Sequence, residues 1–275
     1  LFPFIFAIPL GVLEPSDLTA AYGHKYIYLF FGGFMLSLGL EKWDVHKQIA
    51  ERIIRVVGTS KARIILGFLI ATGLLSMWIS NTATALMMLP MAMAVLSNVE
   101  HEKKSRFSVF LLLSVAYGAS IGGMATLVGS PPNILMAGLL EDKYGISVDF
   151  ATWMKVGLPL SLILLTVVFL FFYMLLGKER KVGVHEMEHE KKPWTPNQKR
   201  VMVLFTTIVL LWSFRTVLTK YTGINYSDEG VAVLGAILLF FLPGAKKSEK
   251  LIEWKDTTRL PWGILILFGG GMALA

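Results

Sequence analysis

Cysteine is absent from the 275 residues, which excludes disulfides and thiolate-held metals. Charge is scarce too. Only 16% of residues are Asp, Glu, Lys or Arg, against roughly 25% in a soluble domain. A basic n-region and a small-residue cleavage site are missing from the first residues, so they do not read as a cleavable signal. What fills the chain instead is apolar: 55% of residues are hydrophobic and mean hydropathy is +0.62. Several apolar runs are long enough to reach across a bilayer, so the expected class is an all-α polytopic membrane protein. The chain opens inside one apolar run without a Met and stops inside another, as expected of a fragment of a longer, transporter-sized chain.

Apolar segments fall at 1–13, 26–40, 64–97, 107–140, 154–177, 201–219, 229–243 and 261–275. Formal net charge is +7. The basic residues sit in connections between apolar runs, which fits an anionic membrane face and not nucleic acid. Connections 41–63, 98–106, 178–200 and 245–259 carry six, three, seven and five Lys or Arg, whereas 14–25, 141–153 and 220–228 hold three together. The positive-inside rule assigns the four rich connections to the cytoplasm.

That map makes two segments anomalous. Segment 64–97 begins and ends at cytoplasmic connections, so it cannot cross once. Its legs, 64–79 and 83–97, are each roughly 23 Å as helix, short of the ~30 Å hydrocarbon core. A re-entrant hairpin results, with Ser80-Asn81-Thr82 as its tip and the second leg starting at Thr82. A non-helical turn at membrane depth is tolerated only when buried in protein or lining a wet cavity. Segment 107–140 crosses once but is too long, at about 51 Å as continuous helix. Gly129-Ser130-Pro131-Pro132-Asn133 must break it, because two prolines remove donors and clash with the preceding turn. Segment 41–63 is basic and amphipathic and reads as lying along the cytoplasmic interface.

The polar residues of these two segments are neutral oxygens without formal charge. A hard cation such as sodium takes such ligands. Ser76, one helical turn before Ser80, could join Ser80, Asn81 and a carbonyl near Gly129 in that shell. A carboxylate could meet donors from Asn81, Thr82 and Ser130 at a helix N-terminus. Ordinary turn chemistry is the plainer reading of the same residues. Arg215, well inside a run near its outer end, reads as snorkelling to the interface. His185-Glu186-Met187-Glu188-His189 matches a zinc-peptidase pattern, but it lies in a Lys-rich connection with no third ligand close by, so a solvated loop is favoured. Phe31-Gly32-Gly33-Phe34-Met35-Leu36 and Phe268-Gly269-Gly270-Gly271-Met272-Ala273 form a weak repeat of opposite direction. An inverted repeat would put a second polar tip beyond the last residue.

Ser-Asn-Thr at a re-entrant tip, then Gly-Ser-Pro-Pro-Asn about 50 residues later, resembles the divalent-anion/sodium symporter family. Phe31-Gly32-Gly33-Phe34-Met35 and Leu40-Glu41-Lys42-Trp43 are similar to that family's early region. The resemblance implies an inverted-repeat transporter truncated in its second repeat. The first sodium site would comprise Ser76, Ser80, Asn81 and Gly129. The first substrate contacts would be Asn81, Thr82, Ser130 and Pro131; many relatives carry Thr where this chain has Ser130. It implies scaffold helices and an interfacial helix at 1–63, and a transport domain of hairpin 64–97 and broken helix 98–153. Scaffold helices and a loop would follow at 154–260, and 261–275 would start the second repeat. The expected function is not enzymatic: symport of sodium, as coupling ion, with small dianions, C4-dicarboxylates such as succinate first. An elevator mechanism in a plasma-membrane homodimer is implied, with no further cofactor. The alternatives are a sodium-independent exchanger of the same fold and, remotely, an intramembrane metalloprotease at His185 and His189, or a purely structural scaffold.

Overall fold

A computed structural model describes residues 3–97, 106–177, 193–246 and 249–274, with the side chains of Pro3 and Phe4 excepted. Its helices in chain order are α1 (Pro15–Tyr22), α2 (Lys25–Lys42), α3 (Val45–Val57), α4 (Lys61–Ser76), α5 (Asn81–Ser97) and α6 (Arg106–Gly123). These are followed by α7 (Pro131–Tyr144), α8 (Phe150–Leu176), α9 (Pro196–Thr222), α10 (Asp228–Phe241) and α11 (Trp262–Leu274). Among the described residues no sheet forms; a lone antiparallel bridge joins Pro243 and Lys250. Among the described residues three helices, α6, α8 and α9, are long and apolar enough to cross a membrane. The His185–His189 pattern lies outside the described residues.

Where the elements differ from the sequence reading, local chemistry accounts for it. In the run at 1–13 the described residues form a short π-helix, Pro3–Ala7, followed by turns. The connection 14–25 instead contains α1, because Pro15 occupies its first position and Glu14 and Asp17 form a reciprocal capping box. The hairpin turn is residues 77–80, beginning three residues earlier than the expected tip at 80–82, and α5 starts at Asn81 and not Thr82. The break between α6 and α7 is residues 124–130. Pro131 and Pro132 are not inside it. They open the first turn of α7, where a missing N–H leaves no helical bond unmade.

The chain divides into two compact units. The first comprises Leu1–Trp43, Pro131–Trp153 and Trp194–Ala275. Here α2 packs on α10, α9 packs on both, and α1 packs on α11. Polar side chains pin its ends. Arg215 is paired: its guanidinium reaches Asp149 at 2.8 Å and Asp228 at 3.4 Å. The Asp228 carboxylate also accepts from the Phe150 N–H at 2.7 Å, and the Trp212 indole donates to the Asp228 carbonyl at 2.9 Å. Lys25 pairs with Glu141. At the other end of α2, Lys42 meets Asp256 at 2.6 Å, and the Trp43 indole and carbonyl bond Leu251 and Gln198.

The second unit comprises Asp44–Ser130 and Met154–Pro193. Both legs of the hairpin, α4 and α5, pack against α6. Ile65, Phe68, Met88, Phe107 and Leu111 are fully buried between them. α8 adds Phe172 and Leu176 to the same core. The amphipathic stretch forms α3, and its Ile49, Ile53 and Ile54 pack on this core, so its apolar stripe is used at least in part by protein. At the crossing of α4 and α6 a Cβ on Gly122 would stand 2.1 Å from the Gly73 carbonyl oxygen. Only glycine permits that approach, and it brings the C-terminal ends of both helices close together.

Candidate functional site

The apolar lead of each helix explains why its polar end lies where it does. No Asp, Glu, Lys or Arg occurs in 64–99 or in 107–140, so α4, α5 and α6 are held by apolar burial and their ends must satisfy backbone groups with neutral partners. α4 stops at Ser76 and α6 at Gly123. Their last carbonyls carry the negative ends of two helix dipoles.

Ser76 is fully buried. Its hydroxyl oxygen lies 2.7 Å from Asn81 Oδ1 and 2.6 Å from the Ala119 carbonyl oxygen. A serine has one proton to donate, so the hydroxyl can donate to one of these two acceptors at a time. Gly129 is ringed by more oxygens: a Cβ there would lie 2.6 Å from the Gly123 carbonyl, 2.9 Å from that of Met77 and 3.0 Å from that of Ser76. A Cβ on Gly123 would in turn stand 2.2 Å from Asn81 Oδ1. The turn 77–80 and the break 124–130 therefore meet, with Ser76, Asn81, Gly123 and Gly129 at the junction. Neutral oxygens gather there and no charge is present in either segment, a ligand type that a hard monovalent cation takes.

The remaining residues singled out from the sequence stand differently. Ser80 is half-buried and acts as the cap of α5, its hydroxyl accepting from the Ala83 N–H at 3.3 Å. Thr82 is exposed in the first turn of α5. Ser130 is half-buried and directly precedes Pro131, the first residue of α7. The N-terminal end of α5, with its free N–H groups, can receive a carboxylate. Sequence reasoning missed Thr126 and the Ala119 carbonyl. The first carried a signal, a lone hydroxyl three residues before Gly129 in an apolar loop. The second is a backbone group that only the fold brings into place. Among the described residues, no group of three or more His, Cys, Asp or Glu could hold a metal.

Comparison with known proteins gives a consistent picture. The profile of a family described as citrate transporters matches residues 1–275. The sodium-dependent dicarboxylate transporter SdcS of Staphylococcus saprophyticus is 37% identical across 98% of this chain. The protein of the same name from Staphylococcus aureus strain USA300 is 36% identical across 98%. This chain spans 56% of the length of each of these relatives.

Proposed function

This chain belongs to the citrate transporter family, and we propose that it supplies the first ion and substrate half-site of a sodium-coupled importer of small dianions. C4-dicarboxylates such as succinate are the favoured substrates, since relatives covering nearly all of this chain are named sodium-dependent dicarboxylate transporters. Sodium binds among Ser76, Ser80, Asn81 and the backbone at Gly129. One substrate carboxylate binds Asn81, Thr82, Ser130 and the chain at Pro131. The second half-site belongs to the portion of the relatives that this chain does not span.

The observation that carries this reading is the meeting of turn 77–80 with break 124–130, which gathers the Ser76 hydroxyl, the Asn81 amide oxygen and several backbone carbonyls. Sodium takes neutral oxygens of this kind as ligands. The dipoles divide the work: two helix C-termini face the cation, and the N-terminus of α5 faces the anion. Binding of the ion orders Asn81, which then presents its amide to the carboxylate, so ion and substrate bind as a unit. The segment 64–97 is a re-entrant hairpin, the connections 41–63, 98–106, 178–200 and 245–259 are cytoplasmic, and the full-length protein is an inverted-repeat homodimer working as an elevator.

The test uses the full-length protein in proteoliposomes. Labelled succinate uptake is measured with and without an inward sodium gradient, for wild type and Asn81→Ala. Uptake driven by sodium in wild type and lost in the variant is expected. Uptake indifferent to sodium contradicts the coupling, as a sodium-independent exchanger would require, and uptake indifferent to the substitution contradicts the site.

A further inference from the structure

We infer that Thr126 is a positioning residue for the ion site, a clasp that fixes the hairpin turn to the helix break. This rests on the sodium reading above. Thr126 is fully buried in the loop between α6 and α7. Its hydroxyl donates to the Met77 carbonyl and accepts from the Gly129 N–H at 3.1 Å. One oxygen thus bonds the first residue of the turn and the glycine at the centre of the oxygen ring. The Met77 carbonyl is itself one of the three that surround Gly129.

The consequences follow from hydrogen-bond capacity. A carbonyl has two lone pairs, so Met77 can hold the clasp and still offer one to an ion. The Gly129 N–H is fixed by Thr126, and its other bond, to the Thr126 carbonyl, is long at 3.4 Å. A branched Thr side chain has few χ1 choices, which makes it a stiffer strut than serine. The other polar side chains nearby do not substitute. Thr84 stands 3.5 Å from the Ile79 carbonyl, within the start of its own helix, and Ser161 bonds the Ile121 carbonyl at 2.8 Å, on the α8 side of α6. Removing the Thr126 hydroxyl leaves two buried backbone groups short of a partner and frees two ligand-bearing loops to move apart.

The experiment titrates sodium chloride against the melting temperature of the purified full-length protein, with choline chloride holding ionic strength. Wild type, Thr126→Val, Thr126→Ala and Thr126→Ser are compared. Val and Ala are expected to raise the half-saturating sodium concentration about tenfold, and Ser to stay within about twofold of wild type. A merely structural hydroxyl would lower the melting temperature without sodium and leave the half-saturation point in place, which overturns the inference. Serine losing as much as valine also overturns it, since the methyl group would then be what matters. If Val and Ala both fail to fold while Ser folds, Thr126 is a requirement of the fold and the positioning role is overturned. Wild type stabilised equally by sodium and choline is a different failure, that of the sodium reading itself.

Discussion

Arg215 in the first unit and Ser76 in the second both bury polar chemistry in an apolar protein, and they do it in opposite ways. Around Arg215 the groups are charged: Asp149 and Asp228 both reach the guanidinium, two carboxylates to one cation, and the other Asp228 oxygen takes the Phe150 N–H. Burial pushes the Asp149 carboxyl up. The bonds from Thr152 and the nearby Arg215 outweigh that and hold it below the usual carboxylate range. Around Ser76 the groups are neutral: its hydroxyl lies against the Asn81 amide oxygen and the Ala119 carbonyl. An ion cluster of the first kind locks segments together. The neutral-oxygen cluster is the one we propose as a cation site.

The largest expected break of this contrast is Gly129→Ala. Its new Cβ would press on three carbonyl oxygens within 3.0 Å, and overpacking of that kind should weaken sodium binding by about tenfold to a hundredfold. Sodium-dependent melting measures it, and an unchanged response would show that the ring does not hold the ion. Next is Asp228→Ala. It leaves Arg215 short of one carboxylate and the Phe150 N–H without its acceptor. A loss of about 3 kcal/mol in thermal or chemical denaturation is expected, with the sodium half-saturation point unmoved. A moved half-saturation point would mean that the two regions are not independent.

A smaller effect concerns acid. Burial raises the Asp256 carboxyl, but the bond from Lys42 and the backbone bond at Glu253 hold it below its ordinary value, as at Asp149. Their folded values are depressed, so their stabilisation is fully present above the unfolded value of about 3.9. It is lost as pH falls below that toward the depressed values. Melting temperature should therefore fall steeply below about pH 4, and Asp149→Asn with Asp256→Asn should flatten that fall. A fall centred near neutral pH would contradict the assignment. The smallest effect is expected at Thr82, which is exposed. Thr82→Val should change sodium half-saturation by less than about twofold while weakening succinate binding, measured at saturating sodium.

Much of this was legible in the residues. The run of neutral polar side chains from Ser76 to Thr84 within charge-free surroundings pointed to the turn, and Gly129 to Asn133 pointed to a break nearby. The break lies ahead of its expected place because proline at the start of α7 is a starter and not a breaker. The turn lies earlier because α4 ends at Ser76 and α5 already begins at Asn81. Ser80, expected as a ligand at the tip, also caps α5. Arg215 was read alone, because its partners Asp149 and Asp228 lie in distant connections that only the fold brings together. The weak glycine repeat has a packing use in both copies: Gly32 lies against Ala232 and Gly269 against the Tyr22 ring. No pattern of side chains could disclose the carbonyls of Ala119, Met77 and Gly123, since every residue has one.

The central claim is that the neutral oxygens around Ser76 and Gly129 bind sodium. Equilibrium binding of radiolabelled sodium to the purified full-length protein tests it most directly. Wild type should bind label that excess unlabelled sodium displaces and choline does not. Asn81→Ala and Gly129→Ala should each lose the part of that binding that this site contributes, while Asp228→Asn keeps it. Undiminished binding in both Asn81→Ala and Gly129→Ala would contradict the account.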